Sequence, residues 1–176
     1  MKKALLLIGA FALLALLLAA AGALLPVAHT AKIRFTLAQP PEAVYDVITD
    51  LATQHDWRTG LDSLRVLDAG PPVRWRESTG SGTLEFARTD QIRPRLVRAE
   101  IQGAREQGFG GTWTWDLIPA DRGGTLVSIT ENGEVYNPLF RIFARTVFSP
   151  YRTLERYARD LGARFGEDVA PERVVG

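Results

Sequence analysis

The chain has 176 residues, 46% hydrophobic and 23% charged, the composition of an ordinary globular protein with one domain. It has no cysteine and only two histidines, His29 and His55, which excludes disulfides, thiolate catalysis, zinc-cysteine sites and any His-rich metal site. Taking Lys2 and Lys3 from the 21 basic residues leaves 19 against 20 acidic ones, a near-neutral balance that gives no argument for nucleic acid or anionic lipid surfaces.

After the two lysines, residues 4–25 read ALLLIGAFALLALLLAAAGALL, uncharged throughout and closed by Pro26. As a helix this run spans roughly 33 Å at 1.5 Å per residue, enough to cross a hydrocarbon core. It exceeds the apolar core of a usual cleaved signal peptide, so an uncleaved signal anchor is expected. A signal cleaved near the Ala-rich patch at 19–23, with secretion, is the alternative. Lys2 and Lys3 stay cytoplasmic by the positive-inside rule, which puts the domain on the extracytoplasmic side, periplasmic or extracellular. The expected organisation is anchor and short tether over 1–31, a domain over 32–166, and a polar, frayed tail over 167–176.

Residues 32–38, KIRFTLA, alternate apolar Ile33, Phe35 and Leu37 with polar neighbours, the period of a strand with one buried face. The period then changes. Pro40 and Pro41 suit a helix start, Glu42 favours its first turn, and Val44, Val47, Ile48 and Leu51 share a helical face. Two short helices are expected, broken near Asp50 and ending by Trp57. From Leu61 to Glu134 six strands follow, separated by GPP, STGSG, RP, GAREQGFGG and ADRGG turns. Consecutive short strands without helices between them argue for an antiparallel meander. Asn137 and Pro138 then cap a long amphipathic helix, kinked or restarted at Ser149-Pro150 with Ser149 able to cap its second half.

The segments PPEAVYDVITDLATQHDWRTGL, TWTWDLIP and TENGEVYNPLFRIFAR, in this order of elements, resemble the SRPBCC superfamily, which includes START and polyketide cyclase/dehydrase-like proteins. The resemblance covers roughly residues 31–166 and contains no catalytic signature. It implies an α+β helix-grip fold: a curved antiparallel sheet of about seven strands around the long C-terminal helix, with two short helices after the first strand. Here an N-terminal transmembrane helix would be added. It also implies a mostly apolar cavity between sheet and helix. Such pockets take apolar ligands, oriented by a few polar groups. The expected wall is Trp75, Phe86, Trp113, Trp115, Phe140, Phe143 and Val147, with Trp57 and Arg58 near the mouth; core packing is the competing role for each.

No strong catalytic constellation appears. His55-Asp56 has no nucleophile to serve, and neighbours on a helix point about 100° apart, so His55 is expected to face solvent or cap. Glu131 shares parity with Val127 and Ile129, and Glu77 with Val73 and Trp75. Either carboxylate would suit acid-base chemistry if it faced an apolar cavity, with Tyr136 as a possible helper. Solvent exposure or pairing with Arg58 or Arg74 is the alternative for both. GAREQGFGGT lacks the Lys-Ser/Thr of a P-loop and reads as a flexible hairpin. The arginines of the last helix are interleaved with Glu155 and Asp160, as on a solvated face. The leading expectation is a membrane-tethered, non-enzymatic binding domain for an apolar small molecule or lipid, without cofactor, metal or nucleic acid. A cyclase/dehydrase-type enzyme and an envelope interaction module are the alternatives.

Overall fold

The alternation read from the first strand is the alternation that the fold buries. In β1 (Ala28–Leu37), Ala31, Ile33, Phe35 and Leu37 face inward and are at most 4% exposed, while the residues between them face out. The computed structural model describes residues 2–121, 123–146 and 149–174, apart from the side chains of 2, 4–6, 143–146 and 150. After α1 (Lys2–Ala23) and β1 come α2 (Pro41–Thr49), α3 (Gln54–Trp57), β2 (Ser63–Asp68), β3 (Arg74–Thr79), β4 (Gly82–Ile92) and β5 (Leu96–Gln102). The one-turn α4 (Ala104–Gln107), β6 (Phe109–Pro119), β7 (Thr125–Val135), α5 (Pro138–Thr146), α6 (Pro150–Arg164) and β8 (Glu172–Arg173) complete the chain.

The strands form one antiparallel sheet in the order β2-β3-β4-β5-β6-β7-β1-β8. This is the α+β helix-grip arrangement, with eight strands rather than about seven. The eighth corrects the frayed tail. Val174 N donates to Lys32 O at 2.8 Å, Glu167 accepts from Ala38 N at 2.9 Å, and Val169 is buried. Arg173 also donates to Glu155 at 2.6 Å, and its guanidinium holds that carboxyl below the usual glutamate range. Composition alone hid this return because the edge pairing uses backbone groups.

The helices begin and end for local reasons. Pro41 occupies the first turn of α2, and Val44, Tyr45 and Ile48 form its buried face. Asp50 ends it, accepting from Ala52 N at 3.2 Å and from the Thr53 hydroxyl at 2.9 Å. Asn137 caps α5, its Oδ1 accepting from Leu139 N at 2.9 Å. The long helix restarts at Pro150 as expected, but Ser149 makes no side-chain cap; its carbonyl accepts from Arg152 N instead. Leu154, Tyr157, Ala158 and Leu161 press α6 onto the sheet, all at most 4% exposed.

The expected spanning segment forms α1. Among the described residues, however, no helix is long and apolar enough to cross a membrane. The end of α1 is fastened to the domain. A Cβ at Gly22 would lie 2.0 Å from Pro138 O, so α1 and α5 meet backbone to backbone. Arg141 donates to Val135 O at 2.7 Å and Tyr136 O at 2.8 Å, and reaches Leu25 O at 3.3 Å and Gly22 O at 3.4 Å.

Gly111 and Gly133 face each other across β6 and β7. Gly111 has φ +130°, and a Cβ there would come within 2.2 Å of Asn132 O. Gly111→Ala is therefore expected to lower stability by about 1–3 kcal/mol. Urea unfolding of the purified chain, followed by tryptophan emission, measures it; an unchanged midpoint would contradict the close approach.

Candidate cavity and its polar wall

Between the sheet and the helices lies a cavity of ≈ 600 Å³. Its aromatic and aliphatic wall comes from alternate residues of four strands: Trp75 on β3, Leu84 and Phe86 on β4, Val97, Ala99 and Ile101 on β5, and Trp113 and Trp115 on β6. Ile48, Leu51 and Leu61 close one side, and Thr153 and Arg156 of α6 border another. Trp75 and Phe86 stack with centroids 5.5 Å apart, as their direct pairing across β3 and β4 requires.

Several expected wall residues meet here: Arg58, Trp75, Phe86, Trp113 and Trp115, with both Glu77 and Glu131. Others do not. Trp57 lies behind the wall, edge-on to Tyr157 at 5.5 Å. Phe140 is 48% exposed and packs on Phe109, away from the cavity. Tyr136 donates to Glu134 and is covered by the Arg105 guanidinium, so it is no partner for the cavity carboxylates. Val147 and the side chain of Phe143 lie outside the described residues.

Glu77 is locked. Arg58 grips both its oxygens at 2.8 Å, the Trp75 indole donates to Oε1 at 2.9 Å, and Gln54 accepts from the same guanidinium at 2.6 Å. Burial by itself would lower the Arg58 pKa, but the bidentate Glu77 carboxylate outweighs it and holds the guanidinium above its ordinary value. With both oxygens taken, Glu77 acts as the counter-ion of Arg58. Gln54 is fixed in turn by donating to Ile48 O at 2.7 Å. Arg58 also lies over the Tyr157 ring, 5.3 Å from its centroid.

Tyr157 is the hub behind this wall, within 6.0 Å of the Trp57, Trp113 and Trp115 rings. Its hydroxyl and the Trp115 indole N–H are buried with no hydrogen-bond partner among the described residues. Burial pushes the hydroxyl far above the usual tyrosine range, with the Arg58 charge pulling the other way.

Glu131 differs from Glu77. Its Oε2 is buried and unpartnered among the described residues, and the His29 imidazole Nε2 lies 3.8 Å from its Oε1. The His29 ring lies where a Cβ on Gly133 would be, 2.3 Å away, so that glycine is what lets the imidazole approach. On the opposite wall, Arg88 donates to Thr49 O at 3.0 Å and Gln91 Oε1 at 3.4 Å, while its Nε is buried and unpartnered. Desolvation lowers its pKa.

His55 and Asp56 do meet, at 3.0 Å, contrary to the expectation from helical spacing. Both are more than half exposed and neither reaches the cavity. Arg88, Gln54 and His29 also belong to this region and are not among the residues expected from the sequence. Arg88 was legible, since Leu84, Phe86 and Arg88 alternate onto one face of β4. His29 lies outside the expected domain bounds because β1 starts at Ala28, four residues before the alternation becomes regular.

The comparisons agree with this architecture. No curated protein sequence matches the chain. Among solved structures, truncated norcoclaurine synthase from Thalictrum flavum is similar at TM-score 0.65 and 11% identity, over 80% of this chain and 95% of that one. The Zhui aromatase/cyclase from Streptomyces sp. R1128 gives 0.57 and 11%, over 76% and 91%. A conserved protein from Geobacillus kaustophilus gives 0.64 and 15%, over 82% and 99%. At such identities these likenesses show the fold alone. The family model described as polyketide cyclase / dehydrase and lipid transport matches residues 28–163, most of the chain. The chain belongs to that family.

Proposed function

We propose that the protein is a membrane-tethered binding domain that takes an apolar small molecule or lipid between the sheet and α6. The cavity carries this reading: ≈ 600 Å³ with a wall of tryptophans, Phe86 and aliphatic side chains on the strands, beside polar groups that include the Arg58–Glu77 pair, Arg88 and Glu131. The tether rests on the uncharged run over 4–25 behind Lys2 and Lys3, which puts the domain on the extracytoplasmic side. Arg141, bonded to β7 and within reach of the carbonyls that end α1, would hold the domain close to the bilayer where such ligands partition.

Native mass spectrometry of the detergent-purified chain is expected to show a co-purifying apolar ligand on a protein that retains residues 1–25. A chain that carries no such ligand from any extract sinks the binding reading. Loss of the first 25 residues sinks the tether alone.

A second reading, an enzyme of the cyclase/dehydrase type, is favoured by one observation, the buried Glu131 oxygen that has no partner among the described residues. Under it Glu131 is the acid-base group, since Glu77 is held by Arg58 and Trp75. Glu131→Gln would then abolish turnover while ligand retention survives.

A further inference from the structure

Of the three cavity-wall residues with a buried polar atom that has no partner among the described residues, Arg88, Trp115 and Glu131, the two charged ones belong to one row of the sheet. Arg88 pairs with Ala99, Ala99 with Trp113, and Trp113 with Glu131. Directly opposed residues of an antiparallel sheet point to the same face. The floor therefore reads cation, small residue, aromatic plate, anion. Three strand spacings put the Cα atoms of Arg88 and Glu131 roughly 14 Å apart.

Neither end is neutralised as Arg58 and Glu77 neutralise each other. No carboxylate lies within ion-pair distance of Arg88 among the described residues, and Glu131 has only His29 at 3.8 Å. An unpaired buried polar atom is costly, and a ligand group that meets it regains much of that cost. Between the two ends, Ala99 leaves depth beside the Trp113 ring for an apolar chain.

Resting on the binding reading above, we infer that the ligand is a bifunctional amphiphile. Its carboxylate is held at Arg88, its apolar chain crosses Ala99 and Trp113, and a hydroxyl at the far end donates to Glu131. The chemical class is a hydroxylated long-chain carboxylic acid. A neutral apolar molecule leaves both ends unmatched.

The test titrates the full chain, held in amphipol, with laurate, lauryl alcohol and ω-hydroxylaurate, read by the emission of the wall tryptophans. The hydroxy acid is expected to bind about tenfold tighter than either single-headed probe, the effect of one additional hydrogen bond to a charged group. Arg88→Met should remove its advantage over the alcohol, and Glu131→Leu its advantage over laurate. Because Arg88 also holds Thr49 O, the Glu131 variant serves as the independent arm should Arg88→Met unfold. Equal affinity for all three probes, or a preference that survives Glu131→Leu, overturns the two-ended ligand and leaves apolar binding standing. A folded chain that binds none of the three overturns both.

Discussion

Arg58→Ala is expected to destabilise the protein by about 3–5 kcal/mol, the cost of leaving a buried carboxylate without its cation. Glu77 is 11% and Arg58 18% exposed as side chains, so solvent screens the pair little. After the substitution Glu77 keeps only the Trp75 indole, and Gln54 loses the donor to its Oε1. The double change Arg58→Met with Glu77→Leu should cost far less than either single change, because a buried ion pair and a well-packed apolar pair are close in net stability. Urea unfolding measured by tryptophan emission separates these cases. A single-variant cost below about 1 kcal/mol would mean that water reaches the pair freely.

The second large effect is alkaline. The Tyr157 hydroxyl has its pKa raised by burial, so the folded protein keeps this proton at a pH where the unfolded chain, with a pKa near 10, has lost it. Through that window the unfolded state binds fewer protons, and stability falls as pH rises. The contribution is fully present below about pH 10 and declines by about 1.4 kcal/mol per pH unit above it. Tyr157→Phe removes the titrating group and the unpartnered hydroxyl together, and should flatten the alkaline limb of a plot of stability against pH. Tyr136 is also raised, by its hydrogen bond to Glu134, so Tyr136→Phe is the necessary control. An alkaline limb that Tyr157→Phe leaves unchanged would assign the loss to other groups.

Of the residues behind these two effects, strand alternation revealed only Glu77; Arg58 follows α3 and Tyr157 lies on α6. Parity placed Trp75 and Glu77 on one face of β3, and Glu131 beside Ile129 on β7, and the fold keeps them there. The same logic would have found Arg88 on β4. Trp57 and Phe140, expected at the cavity from the resemblance and the last helix rather than from parity, are turned by their helices behind the wall or toward Phe109. Tyr136, expected as a helper to the Glu77 and Glu131 carboxylates, follows β7 and turns to Glu134 instead. The tail departs from the expected fraying because its two-residue strand carries no periodic signal, only backbone groups and two Arg-Glu pairs, Arg34–Glu172 and Arg173–Glu155.

The sequence by itself determined the order of β1 to β7 with the helices α2, α3, α5 and α6, the inward faces of β1, β3 and β7, the break at Asp50, the cap at Asn137 and the restart at Pro150. These depend on local periodicity, fixed backbone angles and capping chemistry, which a short window of sequence contains. Only the tertiary structure decided that Arg58 locks Glu77 while Glu131 keeps an oxygen that has no partner among the described residues. Periodicity says which way a side chain points, but its partners depend on register and on helix packing between residues far apart in the chain.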